Sequence, residues 1–157
     1  MKNLLTATLA SVALAFSPSV MAADMVDAKN PKKIADLIDQ WADDVQIKKD
    51  DKGDPLITFK YMDVNQIVAF YGCKQNKNCK SLQFISPWKN DGKQTLQTAN
   101  RWNQSKRFVR MYLDKDNDVM MEMDVDLEVA VPTEYLRTVM KTWQVSLLAF
   151  AVDGAEK

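Results

Sequence analysis

The stretch Arg107-Phe-Val-Arg-Met-Tyr-Leu-Asp-Lys-Asp-Asn-Asp-Val-Met-Met-Glu-Met-Asp-Val-Asp-Leu-Glu128 alternates apolar and polar residues on both sides of a short acidic break. Val109, Met111 and Leu113 share one parity, with Phe108, Arg110 and Tyr112 on the other. After the break, Val119, Met121, Met123, Val125 and Leu127 alternate with Met120, Glu122, Asp124, Asp126 and Glu128. A period of two puts each set on one side of a strand, so the stretch predicts a β-hairpin with one apolar face. The two apolar sets must share a side, because a slip of one residue would turn all of them over. The simplest register pairs Leu113 with Val119, Met111 with Met121 and Arg110 with Glu122, around the loop Lys115-Asp-Asn117. Asn117 suits the left-handed conformation that a three-residue hairpin loop requires.

Downstream, Thr133 is placed to cap a long helix with Leu136, Met140, Trp143, Leu147 and Phe150 on one stripe, which should lie on the sheet. Upstream, Asn30 as cap and Pro31 as first helical residue open an amphipathic helix carrying Ile34, Leu37, Ile38, Trp41 and Val45 at helical spacing. Val45-Gln-Ile47 and the alternating Ile57, Phe59 and Tyr61 flank a turn cluster, Asp50 to Asp54, and read as two strands. Ile67 to Tyr71 and Ser81 to Ser86 read as the next pair, ended by Pro87. Gly92 to Gln104 reads as a shorter helix, with Leu96, Ala99 and Asn103 on one side and Trp102 nearby. This order predicts an α+β domain: one antiparallel sheet of about five strands packed with three helices against its apolar face.

Met1-Lys2, the apolar run Leu4 to Phe16 and Val20-Met-Ala22 have the pattern of a signal peptide cleaved after Ala22 or one residue later. Residues 1–22 are therefore expected to be removed and 23–157 to form one bacterial periplasmic or secreted domain. The apolar run is shorter than the ~20 residues a membrane span needs, so no stable membrane insertion is expected after cleavage. The first residues after the cut and Asp153 to Lys157 are expected to fray. In an exported chain, Cys73 and Cys79, which enclose the polar stretch Lys74 to Asn78, read as a disulfide closing a hairpin loop. Five intervening residues, and no thioredoxin-like surroundings, speak against a redox pair.

Phe70-Tyr-Gly-Cys73, the second cysteine, Ser81-Leu-Gln-Phe84, Asn100-Arg-Trp-Asn103, Arg107 to Asp114 and the acidic strand ending in Leu127 together resemble the exported branch of YbjN-domain proteins. The resemblance covers about Asp54 to Phe150, and its most specific part is Asn100, Trp102 and Asn103 leading into the aromatic, basic strand. It implies a fold similar to type III secretion chaperones and a role of the sensory-regulator, protein-binding kind, with no catalytic residues to carry over. One departure is Val129-Ala-Val131, where many relatives have a glycine before the last helix.

Composition narrows the chemistry. With no histidine, Ser-His-Asp and Cys-His nucleophile systems and His-ligated zinc are excluded, and two cysteines are too few for a Cys₄ zinc site. Asp114-Lys-Asp-Asn-Asp118 begins like a calcium loop, but Val119 and Val125 stand where glycine and a bidentate glutamate are needed. The carboxylate row Glu122, Asp124, Asp126, Glu128 reads as the wet side of an amphipathic strand, without the contrasting environments that acid/base pairs need. No catalytic residue, cofactor or metal is expected. Lysines and arginines number nine against one acid over 74–110, and one against eight acids over 111–134, so basic and acidic zones should meet at the hairpin. Export disfavours nucleic acid as the partner of the basic zone. The function expected is a non-catalytic protein-interaction module, with an unknown protein partner and a possible homodimer. Its candidate surface is Phe108, Arg110, Tyr112, Glu122 and Asp124. The alternative is a periplasmic small-ligand binder with a pocket between helices and sheet.

Overall fold

In the computed structural model, which describes residues 23–155 and side chains as far as Val152, six strands form one antiparallel sheet. The expected signal peptide lies outside the described residues. The strands are β2 (Asp43–Lys49), β3 (Pro55–Tyr61), β4 (Val64–Tyr71), β5 (Ser81–Trp88), β6 (Arg110–Leu113) and β7 (Val119–Asp126), in the order β2-β3-β4-β5-β7-β6. A separate two-stranded sheet pairs β1 (Met25–Val26) with β8 (Val131–Pro132). The helices are α1 (Pro31–Ile38), α2 (Leu96–Ser105) and α3 (Thr133–Ala155). The fold is α+β, with six main-sheet strands where about five were expected.

The hairpin takes the expected register: Leu113 pairs with Val119, Met111 with Met121 and Arg110 with Glu122. Asn117 turns through φ +63°, and the Asp114 carboxylate accepts from the Asp116 and Asp118 amides, so that carboxylate is engaged in shaping the turn. The apolar parity of β7 is buried throughout, against the inner faces of β4 and β5 and the α3 stripe Leu136, Met140, Trp143, Leu147, Phe150. Alternation on the strands and a 3.6-residue period on the helix therefore converge on one core. The Trp143 ring lies 5.7 Å from that of Phe84, and its N–H donates to buried Gln66 at 2.8 Å.

Three expectations are corrected. The first helix stops at Ile38 after burying Ile34, Ala35, Leu37 and Ile38, and Val45 belongs to β2. Trp41 leaves the helical stripe to meet Phe59 and Tyr61 edge-on at 5.5 and 5.3 Å, so tertiary packing overrides the local period. Pro87 does not end β5, because it pairs with Met120 of β7. The β4 ladder stops at the Ile67–Ile85 pair, so nothing on that side requires the N–H that proline lacks. Finally, the residues just after the expected cleavage point are tied down. Asp24 accepts the Thr133 amide and hydroxyl at 2.7 and 2.9 Å and pairs with Lys33, and Met25 and Val26 pair with Pro132 and Val131. Lys33 and Thr133 together hold the Asp24 carboxyl below the usual aspartate range. Helix α3 likewise runs on to Ala155. The Val129-Ala-Val131 connection needs no glycine, since none of the three adopts a positive φ.

Cys73 and Cys79 form a disulfide across the β4–β5 connection, where Tyr71 and Ser81 are the last pair. Gly72 precedes it at φ +66°, and a Cβ there would sit 3.2 Å from the Lys80 side chain. A bridge closing so short a loop contributes about 2 kcal/mol in the chain-entropy account, enough to hold the strand ends in register.

Candidate functional site

The helices all lie on one side of the main sheet, and among the described residues no element covers the other side. The outward parity of β4, β5 and β7 carries Ile67, Ala69, Ile85 and Met120, all half-buried. Across these strands runs a chain of hydrogen bonds. Tyr71 donates to Gln83 at 3.2 Å, and Gln83 donates to Asp124 at 2.8 Å. Arg110 donates to Asp124 at 2.6 Å through Nη1 and to Glu122 Oε2 at 2.9 Å through Nε. Tyr112 donates to Glu122 Oε1 at 2.7 Å.

The register accounts for this assembly. Gln83 is opposite Asp124 and Ile85 opposite Glu122 on β5–β7, while Arg110 is opposite Glu122 on β6–β7. Directly opposed side chains stand close enough to interact, and the acidic strand β7 has such neighbours on both sides, β5 and β6. The basic and acidic zones meet here and at two further pairs, Lys80–Glu128 at 2.7 Å and Lys89–Asp118 at 2.5 Å. The rest of the basic block lies in the cysteine loop (Lys74, Lys77) and on or beside α2 (Lys93, Arg101, Lys106, Arg107).

The acidic row is not uniformly wet. The side chains of Asp124 and Glu128 are well exposed, but that of Glu122 is only 9% accessible, with both oxygens engaged by Arg110 and Tyr112. This environment acts on its neighbours. Burial, then the hydrogen bond and charge of Glu122, push the Tyr112 hydroxyl up to about 12. Tyr71 moves the same way, through burial and then the Glu122 and Asp124 charges, and Glu122 foremost raises Arg110 above its usual value. Because Tyr112 ionises later folded than unfolded, its contribution to stability is full below about pH 10 and is lost as pH rises through about 12. In an ultraviolet titration of phenolate absorbance, the component near pH 12 is expected to shrink in Tyr112→Phe. An unchanged titration curve would show that the late-ionising group lies elsewhere.

Of the five residues expected to share one surface, Arg110, Tyr112, Glu122 and Asp124 do so. Phe108 does not. Strand β6 begins only at Arg110, and Phe108, at φ +72°, lines a groove beside α3 on the helical side. Tyr71 and Gln83 join the network unforeseen. Their outward parity was legible, but not that β5 would have the acidic strand as its neighbour.

Two of the three motif residues, Trp102 and Asn103, hold the start of β6 in place. Asn103 donates to the Met111 carbonyl and accepts from its amide, both at 2.9 Å, so one side chain stands in for a neighbouring strand at the β6 edge. The Trp102 indole donates to the Val109 carbonyl at 2.8 Å. Asn100 is exposed and takes no part in this clamp. On either side of Trp102, at the end of α2, lie two open grooves of about 690 and 600 Å³.

The family model YbjN, described as "Putative bacterial sensory transduction regulator", matches residues 30–151. Comparisons with curated proteins and with solved structures returned no match. Among the described residues no helix is long and apolar enough to cross a membrane.

Proposed function

Because the chain belongs to the YbjN family, we propose that it acts by binding another protein, as an exported, non-catalytic regulatory or chaperone-like module whose docking surface is the helix-free sheet face. The observation that carries this reading is the pairing of an uncovered, half-apolar sheet face with charges already fixed to one another. Such a face offers apolar area together with a preset charge pattern, and charge pattern selects partners more than it adds affinity. The family description fits a regulatory or interaction role, and the Cys73–Cys79 disulfide suits an oxidising compartment.

A photo-crosslinking residue at position 120, on this face, tests the proposal in intact cells against the same residue at position 32, on exposed α1. The expected result is a discrete protein adduct in the periplasmic fraction from position 120 alone. Adding Asp124→Lys, at an exposed carboxylate, should lower its yield about tenfold, equivalent to ~1.4 kcal/mol of binding. Equal adducts from both positions, or yields indifferent to Asp124→Lys, would rule out this face as the docking surface.

A further inference from the structure

The groove beside α3 bears a feature that the sheet face does not explain. The Val109 amide donates to the Arg107 carbonyl at 2.9 Å, closing a three-residue turn with Phe108 at its centre and φ +72°. This is the rare positive-φ form of the γ-turn, strained for any residue and more so for a bulky one. Packing does not compensate, because Phe108 is 67% exposed. What holds the turn is the clamp on the residues that follow: Trp102 fixes Val109 and Asn103 fixes Met111. Two residues of the most specific sequence motif, Trp102 and Asn103, thus maintain a strained backbone that presents an aromatic ring to solvent. Strain maintained by surrounding structure is a mark of a functional position.

Around that ring the groove has a definite chemistry. Val145, 58% exposed, and Ala149 from α3 form its apolar wall opposite Phe108. Arg107, whose guanidinium lies 4.8 Å from the Phe108 ring centre, and Lys141 stand on the rim; Arg101 lines the adjoining groove beyond Trp102. Among the described residues no carboxylate lines either groove. The cavity is open to solvent, which suits a segment of chain better than an enclosed small molecule.

From this charge complementarity we infer a second interaction site: the Phe108 groove takes an acidic peptide segment of another protein, with one aliphatic or aromatic side chain seated between Phe108 and Val145. The apolar anchor supplies the buried contact and the flanking carboxylates meet Arg107 and Lys141. The site is separate from the sheet face, which lies on the other side of the sheet.

The test is selection of a displayed random-peptide library on the full folded chain, followed by fluorescence anisotropy with the enriched peptide. Enriched sequences are expected to carry Asp or Glu around a single bulky apolar residue. Their affinity should fall about tenfold or more in Phe108→Ser and in Arg107→Glu/Lys141→Glu, stay unchanged in Met120→Lys on the sheet face, and weaken with salt. Circular dichroism and thermal midpoints verify that each variant is folded. The inference is overturned if no peptides are enriched, if those enriched lack acidic bias, or if the groove variants bind them equally. It also fails if anionic phosphatidylglycerol vesicles bind where peptides do not, or if the groove variants abolish only self-association of the chain.

Discussion

Trp143→Ala is expected to be the most damaging single substitution in the core, costing about 4 kcal/mol. Trp143 has no exposed surface, packs against Phe84, and bonds through its N–H to the side chain of Gln66, itself 1% exposed. Truncation opens a large cavity, which for Trp or Phe to Ala costs ~3–5 kcal/mol, and it leaves the Gln66 carbonyl without its donor. Gln66 keeps only its bond to the Tyr61 carbonyl, at 3.3 Å. Against a typical total stability of ~5–15 kcal/mol, such a loss leaves the chain largely unfolded at modest urea concentrations. Two variants separate the causes. Trp143→Phe retains most of the ring and should cost ~1–3 kcal/mol, chiefly for the orphaned carbonyl. Combining it with Gln66→Leu removes the orphan and should recover part of that loss. Urea midpoints with unchanged slopes measure all three. A Trp143→Phe variant as stable as the parent would mean that the buried hydrogen bond contributes nothing.

The same residues show what a sequence can reveal. The α3 stripe and the 107–128 hairpin were legible because their periods are long and have one solution: a sheet with one buried face permits a single parity, and the loop length sets the rest. The register therefore follows from the residues alone. Where two elements compete for one residue, the pattern is ambiguous. Trp41 and Val45 continue the helical period of α1, yet the sheet edge takes the backbone from Asp43 onward and Trp41 serves better against Phe59 and Tyr61. Strands β1 and β8 are two residues each, too short for any periodicity, and their pairing is supported by Asp24 reaching Thr133, 109 residues away in sequence.

The candidate surface was partly legible for a related reason. Arg110, Tyr112, Glu122 and Asp124 are brought together by local register, which parity determines. Tyr71 and Gln83 enter through the non-local choice to insert β7 between β5 and β6. Phe108 was misassigned because alternation assumes extended backbone, and the alternation breaks at one positive φ. Nothing in the identity of a phenylalanine signals that conformation. The signal lay five and six residues earlier, in the Trp102-Asn103 pair whose hydrogen bonds impose it.

Arg110→Ala is expected to cost about 2 kcal/mol, between the ~0.2–1 kcal/mol of exposed ion pairs and the ~3–5 kcal/mol of breaking a buried one. The intermediate value follows from the geometry: the Arg110 side chain is 51% exposed, while that of Glu122, 9% exposed, would keep a charge with only Tyr112 to satisfy it. Glu122→Ala should cost less, since Arg110 retains Asp124 and water. The double variant Arg110→Met/Glu122→Leu leaves no orphaned charge and puts apolar side chains beside half-buried Ile85, so it should lie close to the parent in stability. The stability of that double variant against the parent and the two alanine variants is the quantity to measure, by urea denaturation of all four proteins. If the double variant is as unstable as Arg110→Ala, the pair contributes net folding energy and needs no functional explanation. If it is stable, the fold does not require these charges. The crosslinked partner should then be lost from a fully folded protein, because what has been removed is the charge pattern that the partner reads.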